Sequence, residues 1–411
     1  MANKLKMCLD SWGLCANRLF LLFAVVCCLN MAVSCAPLPS APPILPSETV
    51  EEGIDSVSEG DKGTAFQPVQ WSDLVGWGED DLRDSLVAFR ASCASLKYRS
   101  DWQAVCAVAE NVGANKRAAR AFFQHHFIPW RVVNEQGGRN GLITGYYVPD
   151  LDGSRQRSDE YCYPLYGRPD DLLVVDLSAI YPEIGHYRLR GRLEGNRVVP
   201  YWSRDEIDGL KQPLVGSELF WVRDPVELFF LQIQGSGRIT LDDGSQVMVN
   251  YADQNGHPFR SIGTLLVKSG EMTRHQMSKE NLVEWGQKNP RRVQQLLNEN
   301  PRYVFFRSLK NNITMPPGAL GVPLTAERSI AVDPRTIPLG APVYLSTTRP
   351  NSVQPLRRLM VAQDAGGAIK GRVRADLFWG VGDEAGSNAG RMKQQGQMWL
   401  LLPKGMLPAE H

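Results

Sequence analysis

The sequence predicts an α+β body, mainly β, built around one small closed barrel. Three observations predict it. The stretch GVPLTAERSIAVDPRTIPLGAPVYLSTT (321–348) holds short β-rich runs cut by Pro334, Pro338-Leu339-Gly340 and Pro342, and residues 359–362 and 397–402 add further short apolar runs. Many short strands divided by Pro/Gly turns suit a closed barrel better than an open parallel sheet. Residues 71–130, by contrast, carry apolar stripes at helical spacing. The composition permits both: of 411 residues 43% are apolar and 22% charged, room for about two domains of the usual ~150 residues.

In chain order, the first element is a processing segment. Lys4, Lys6 and Arg18 precede an apolar run at 19–33 that is too short for a comfortable membrane span, so residues 1–35 read as a secretory signal peptide. The run ends Ala32-Val33-Ser34-Cys35, small residues directly before a cysteine, as at a bacterial lipid-attachment site, with Ala32 standing where a leucine is usual. Cys35 is then the lipidated residue; the other reading is an ordinary signal peptide with an incidental cysteine. Residues 36–66 are rich in Pro, Ser and Glu and cannot pack. A tether of that kind, ~30 residues long, spans on the order of 30 Å root-mean-square. Five of the eight cysteines fall in the leader, leaving Cys93, Cys106 and Cys162 for the body. Cys93 continues a stripe of Leu82, Leu86 and Phe89, and Cys106 shares one with Trp102, Val105 and Ala109. In an oxidising compartment the two can staple antiparallel helices; two buried thiols fit the pattern as well.

From Trp71 to Trp130 the pattern is helical. Glu79, Asp80 and Asp81 sit where a helix N-terminus favours negative charge, and Ser100-Asp101 can cap the next helix. GLITGYYVPDLDGSR (141–155) then alternates and breaks at Pro149. Strand and hairpin signals follow to about residue 260, with a Gly-Asn turn at 195–196 and a loop Asp242-Asp243-Gly244-Ser245 between residues 238–241 and 246–249. Residues 261–300 return to helix and end at Pro301.

Elimination narrows the chemistry. The formal charge of +1 gives no general pull toward nucleic acid. His125, His126, His186, His257, His275 and His411 show no metal spacing, and no CxxC occurs in the body. QGSGR at 234–238 is not a nucleophile elbow, because Gln234 stands where a glycine is needed. The aspartates remain, and Asp333 (AVDPRTIPLG), Asp364 (VAQDAGG) and Asp376 (RADLFWG) all fall in the β-rich C-terminal segment. Asp333 before proline and Asp364 before Ala-Gly-Gly are also ordinary turn residues. Asp376 is followed by Leu377, Phe378 and Trp379, and apolar neighbours raise a carboxyl pKa, as a general acid requires.

AVDPRTIPLGAPVYL, followed by VAQDAGGAIKGRVRADLFWGVGDEAGSNAGRM, resembles the three-aspartate domain of secreted bacterial wall enzymes. With GYYVPDLDG, FFLQIQGSGRITLDDG and YADQNGHPFRSIG upstream, the chain resembles the membrane-bound lytic murein transglycosylase A family from about residue 140 to the C-terminus. The resemblance implies a double-psi β-barrel domain (67–145 and 312–411, with N-terminal helices), an inserted β-rich domain (146–311), and a glycan-binding groove between them. It implies Asp376 as catalytic acid with Asp364 and Asp333 in support, no cofactor and no metal. The implied activity cleaves peptidoglycan between N-acetylmuramic acid and N-acetylglucosamine, leaving a 1,6-anhydro ring. The implied setting is the periplasmic face of the outer membrane, reached through a lipid on Cys35, with peptidoglycan strands as partner and room for other murein synthases or hydrolases. Expected substrate contacts are Tyr146, Tyr147, Gln234, Ser236 and Asn255, with Gly366 and Gly367 letting backbone approach the sugar and Lys370 orienting a carboxylate. Core packing is the other reading for the tyrosines, and a solvated surface residue for Lys370. The competing class is a non-catalytic, expansin-like wall-binding protein on the same barrel.

Overall fold

The computed structural model describes residues 64–184, 187, 189–310 and 313–409. The leader, Cys35 and almost all of the tether lie outside the described residues. The packed body starts slightly before the expected residue 67, since Ala65 and Phe66 are buried and β1 (Phe66–Pro68) pairs antiparallel with β2 (Phe127–Val132). Between them stand α1 (Arg83–Leu96), α2 (Ser100–Glu110) and α3 (Lys116–His126). Leu86, Phe89, Cys93 and Leu96 bury the predicted face of α1, and Cys93 is disulfide-bonded to Cys106 of α2. Ser100 does not cap: it is the first helical residue, and Arg99 before it makes no side-chain cap.

Of the acidic trio at 79–81, Asp81 does stand at the helix end, accepting from the Arg83 N–H of α1 at 3.2 Å, whereas Asp80 does something else. Asp80 is 8% exposed and takes both forks of Arg328, at 2.9 and 3.0 Å, together with the Leu359 N–H at 2.7 Å. It therefore pins the helical segment to the distant C-terminal strands. Breaking such a buried pair by removing one partner costs about 3–5 kcal/mol.

Strand β3 (Gly141–Val148) alternates as predicted, after which the chain leaves for an inserted unit. This unit carries β4 (Asp150–Ser154), β5 (Tyr163–Tyr166), β6 (Leu173–Val174), β7 (Arg190–Glu194), β8 (Arg197–Pro200), β9 (Glu218–Val222), β10 (Ser236–Leu241), β11 (Gln246–Gln254) and β12 (Val304–Ser308). Six of these form one sheet in the order β12-β11-β10-β4-β9-β5, and β6-β7-β8 form a small second sheet. The 195–196 and 242–245 turns fall between β7 and β8 and between β10 and β11, as expected. Helices α4 (Arg204–Asp208), α5 (Pro225–Gln234), α6 (Ile262–Lys268), α7 (Lys279–Lys288) and α8 (Pro290–Asn298) complete it; α5 to α8 share an apolar cluster of Val226, Phe229, Ile262, Leu266, Leu282 and Val293. Because β3 runs to Val148, Tyr146 and Tyr147 belong to the barrel rather than to the insert.

The chain returns through β13 (Ser329–Val332), β14 (Pro342–Thr348), β15 (Pro355–Ala365), β16 (Arg374–Val381) and β17 (Lys393–Pro403), with α9 (Asp383–Arg391) between the last two. The strand order β17-β14-β15-β13-β16-β3, with β3 pairing back to β17, closes a six-stranded barrel. Ile143, Ile330, Val332, Val343, Met360 and Leu377 fill it at 0% exposure. Helix α9 lies so close to β3 that a β-carbon on Gly145 would stand 2.6 Å from Trp379 Nε1 and 2.9 Å from the Ala389 backbone. Only glycine fits there.

Candidate active site

Strand β13 is the axis of the site. Ile330 and Val332 join the barrel core, and Ala331 between them faces away from it. Ala331 is paired with Asp364 on one side, in β15, and with Asp376 on the other, in β16. Asp376 is paired in turn with Thr144 of β3. Paired residues on adjacent strands share a face, so Asp364, Ala331, Asp376 and Thr144 form one row. Adjacent strands lie ~4.8 Å apart, which puts the two aspartate backbones on the order of 10 Å apart with only a methyl group between.

A bulge makes this row possible. The β13–β15 register jumps from Ile330↔Ala362 to Ala331↔Asp364. Without the jump Gln363 would oppose Ala331, and Asp364 would turn into the protein. The extra residue of the bulge is instead Gln363, 0% exposed, whose amide donates to Ala88 O and Ser92 Oγ of α1 at 2.9 Å each.

The two carboxylates are held differently. Asp364 Oδ1 accepts from the Ala319 N–H at 2.8 Å and the Ala365 N–H at 2.9 Å, and Oδ2 accepts from the Tyr146 hydroxyl at 2.9 Å. Both its oxygens are occupied. Asp376 Oδ1 accepts from Thr144 Oγ1 at 2.5 Å, and Thr144 Oγ1 accepts from Arg374 Nη2 at 2.9 Å. Among the described residues nothing bonds Asp376 Oδ2. Burial pushes the Asp376 carboxyl above the usual carboxylate range; the Thr144 bond and the Arg374 charge pull it down, and Asp364 adds to the rise. Burial also raises Asp364, against its three donors. The arrangement presents one half-buried carboxyl that can carry a proton on a free oxygen, beside a second that is fully engaged.

Asp333 stands just past the end of β13 at 1% exposure. Burial pushes it up, but the Arg335 fork at 3.0 and 2.6 Å and the Gly371 N–H at 3.1 Å outweigh that and hold it at about 2. It anchors the loop between the other two aspartates and does not join their row. In that loop Gly366 turns tightly, since a β-carbon would lie 2.8 Å from Ile369 Cγ1, while Gly367 and Lys370 are exposed.

The remaining expected contacts separate. Tyr146 packs on Phe378 with ring centroids 5.2 Å apart and supports Asp364 through its hydroxyl, so it joins the site as an orienting group. Tyr147 is 6% exposed and belongs to the barrel core, the other reading of that residue. Gln234 accepts from the Tyr147 N–H at 3.2 Å, and Ser236 Oγ accepts from Asn250 Nδ2 at 2.8 Å. Asn255 is 1% exposed and binds the backbone of Trp202, Pro301 and Tyr303, which leaves it no face for a sugar. Thr144 and Arg374 were not singled out from the sequence. Their signal was present in the period of two: Thr144 shares a strand face with Tyr146, and Arg374 shares one with Asp376.

The fold has counterparts among known proteins. The family described as the MltA specific insert domain matches residues 142–307, and the 3D domain matches residues 328–402. Membrane-bound lytic murein transglycosylase A of Escherichia coli (strain K12) is 33% identical over 282 residues, 66% of this chain and 68% of that protein. MltA from Neisseria gonorrhoeae superposes with a TM-score of 0.77 at 38% identity, covering 86% of this chain and 96% of that one. The structure of E. coli MltA with bound chitohexaose superposes with a TM-score of 0.61 at 28% identity, covering 83% and 95%. The closed barrel, the insert and these likenesses together make the chain a member of the membrane-bound lytic murein transglycosylase A family.

Proposed function

We propose that this protein cleaves the β-1,4 bond between N-acetylmuramic acid and N-acetylglucosamine in peptidoglycan strands, with Asp376 as the one acid and base. The observation that carries the reading is the unbonded Oδ2 of Asp376 beside an Asp364 whose oxygens are all engaged. Glycoside hydrolysis ordinarily uses two working carboxylates, one of them to activate water or attack the sugar. One working carboxyl suffices when the substrate supplies its own nucleophile.

In the proposed reaction the Asp376 proton goes to the glycosidic oxygen as the C1–O bond breaks. The C6 hydroxyl of the same muramyl residue then bonds to C1 and returns its proton to the Asp376 carboxylate. The products are a 1,6-anhydromuramyl end and a free 4-hydroxyl on the neighbouring sugar, with no water consumed. Intramolecular attack replaces a bimolecular step, with effective molarities on the order of 10⁵ M or more in well-oriented systems. Arg374 and Thr144 hold the carboxyl in place, and Tyr146 with Ala319 keeps Asp364 beside it. For location, the relatives are named membrane-bound, and among the described residues no helix is long and apolar enough to cross a membrane. A lipid on Cys35 in the outer membrane, with the tether behind it, accounts for both.

Mass analysis of products from purified peptidoglycan tests the reading. Fragments ending in the anhydro ring support it; reducing-end fragments one water heavier, or binding with no cleavage, refute it.

A further inference from the structure

Strand β11 of the insert faces two ways. Val247 and Val249 join the core of the insert's six-stranded sheet, whereas Met248 and Asn250, on the opposite face, turn toward the barrel. Met248 is 5% exposed and packs in an apolar cluster with Val148, Leu324 and Phe378, against which Tyr146 lies. Asn250 is 8% exposed and stands in register between Ser236 of β10 and Arg307 of β12. Its Oδ1 accepts from Arg307 Nη2 at 3.2 Å, and its Nδ2 donates to Ser236 Oγ at 2.8 Å and to Pro317 O at 3.4 Å. Both amide protons are thereby used, one inside the insert and one across to the barrel domain. Pro317 opens the turn that serves Asp364. Leu320 anchors the far side of that turn: its N–H donates to Gln363 O at 3.0 Å, and its carbonyl accepts from Ser95 Oγ of α1 at 3.0 Å. Between the two anchors Gly318 passes so close to β15 that a β-carbon would stand 2.4 Å from Gln363 O, and Ala319 aims its N–H at Asp364 Oδ1. The other oxygen of Asp364 accepts from Tyr146, whose ring rests on the cluster that Met248 completes. Two of the three hydrogen bonds on Asp364 therefore lean on one face of one strand of the insert.

We infer that Asn250 and Met248 are positioning residues for the reaction. Asn250 acts on Asp364 through the 317–320 turn, and Met248 acts on it through Tyr146. Together they fix the insert and the aspartate row in one relative placement. The inference rests on the part proposed above for Asp364 beside the acid. Its physical basis is that a carboxylate with both oxygens engaged presents a charge of fixed position to its neighbour, whereas one that has lost a donor is free to rotate. The insert then does more than stand opposite the barrel: it supplies the far ends of the bonds that hold Asp364.

Amide exchange followed by NMR, together with cleavage of muramyl strands, tests this. Loss of one neutral hydrogen bond is worth roughly fivefold in an equilibrium. Asn250→Ala should therefore speed exchange of the Ala319 amide by about that factor or more, while the Val361 amide in the barrel keeps its rate. Asn250→Asp, which keeps the Arg307 pair but when ionised has no proton for Pro317 O, should match it. In cleavage below the unfolding temperature of each variant, Asn250→Ala and Met248→Ala should each lower kcat by a similar factor and leave KM nearly unchanged. Met248→Leu, which refills the cluster, should restore the rate. Both losses should disappear in protein that already carries Asp364→Ala, because each residue acts through Asp364. Equal losses with and without Asp364→Ala overturn the inference, as does an Ala319 amide that exchanges no faster in Asn250→Ala. Exchange is read without turnover, so this result is independent of whether the products carry an anhydro ring.

Discussion

Asp376→Asn separates the role of the carboxyl in catalysis from its role in stability, and the two should move in opposite directions. The amide keeps the Thr144 bond through Oδ1 and keeps the volume, but the group in place of Oδ2 cannot deliver a proton to the leaving oxygen. A positioned general acid contributes roughly 10²–10⁴-fold, so kcat on muramyl strands should fall by that factor, about 3–5 kcal/mol in the barrier. Stability is set by the raised pKa. Burial makes the folded protein hold the Asp376 proton more tightly than the unfolded chain does. Its favourable contribution is therefore complete at acid pH, below the unfolded value, and disappears as pH rises through the folded value. Above the unfolded value the wild-type protein must either take up a proton on folding or bury a charge, a cost that the asparagine variant does not have. Thermal unfolding at neutral pH should thus show the variant at least as stable as wild type, with the advantage vanishing in acid. Near-full activity would refute the assignment and move the acid to Asp364. A clear loss of stability at neutral pH would show that the charge is held favourably and that the burial argument is wrong.

Thr144→Val removes the bond that lowers the Asp376 pKa, so the alkaline limb of the kcat/KM profile should move to higher pH; an unmoved limb would put Thr144 outside the relay. Asp333 is held down from 3.8 to about 2, so the stability it contributes is complete above its ordinary value and is lost as pH falls toward 2. The difference in unfolding temperature between wild type and Asp333→Asn should accordingly be large at pH 5 or above and close in strong acid; a gap independent of pH would mean that Arg335 and Gly371 do not act through its charge. The Cys93–Cys106 bridge closes a short loop, the two cysteines being 13 positions apart, for which the chain-entropy relation gives about 3 kcal/mol. Cys93→Ser should show a loss of that order in denaturant unfolding with strand cleavage intact at low temperature, because the bridge touches no residue of the aspartate row; unchanged stability would contradict it.

The parts of this protein legible in the sequence are those that depend on neighbours along the chain. The period of two in residues 141–148, the turns at 195–196 and 242–245, the stripe that buries Leu86, Phe89 and Cys93, and the apolar run after Asp376 all describe local geometry, and the structure keeps each of them. The same locality explains the failures. Asp80 looked like a helix-end charge because its partner, Arg328, lies 248 positions away. Tyr147 and Asn255 looked like sugar contacts because polarity and aromaticity do not say which way a side chain faces once strands pair. The site itself was decided by tertiary structure. Thr144 meets Asp376 across 232 positions, and Asp364 reaches the row only because the register with β13 skips Gln363. A bulge and a strand order are properties of pairing between distant segments, so residue types alone could name the aspartates but could not decide which carboxylate oxygens find partners among the described residues.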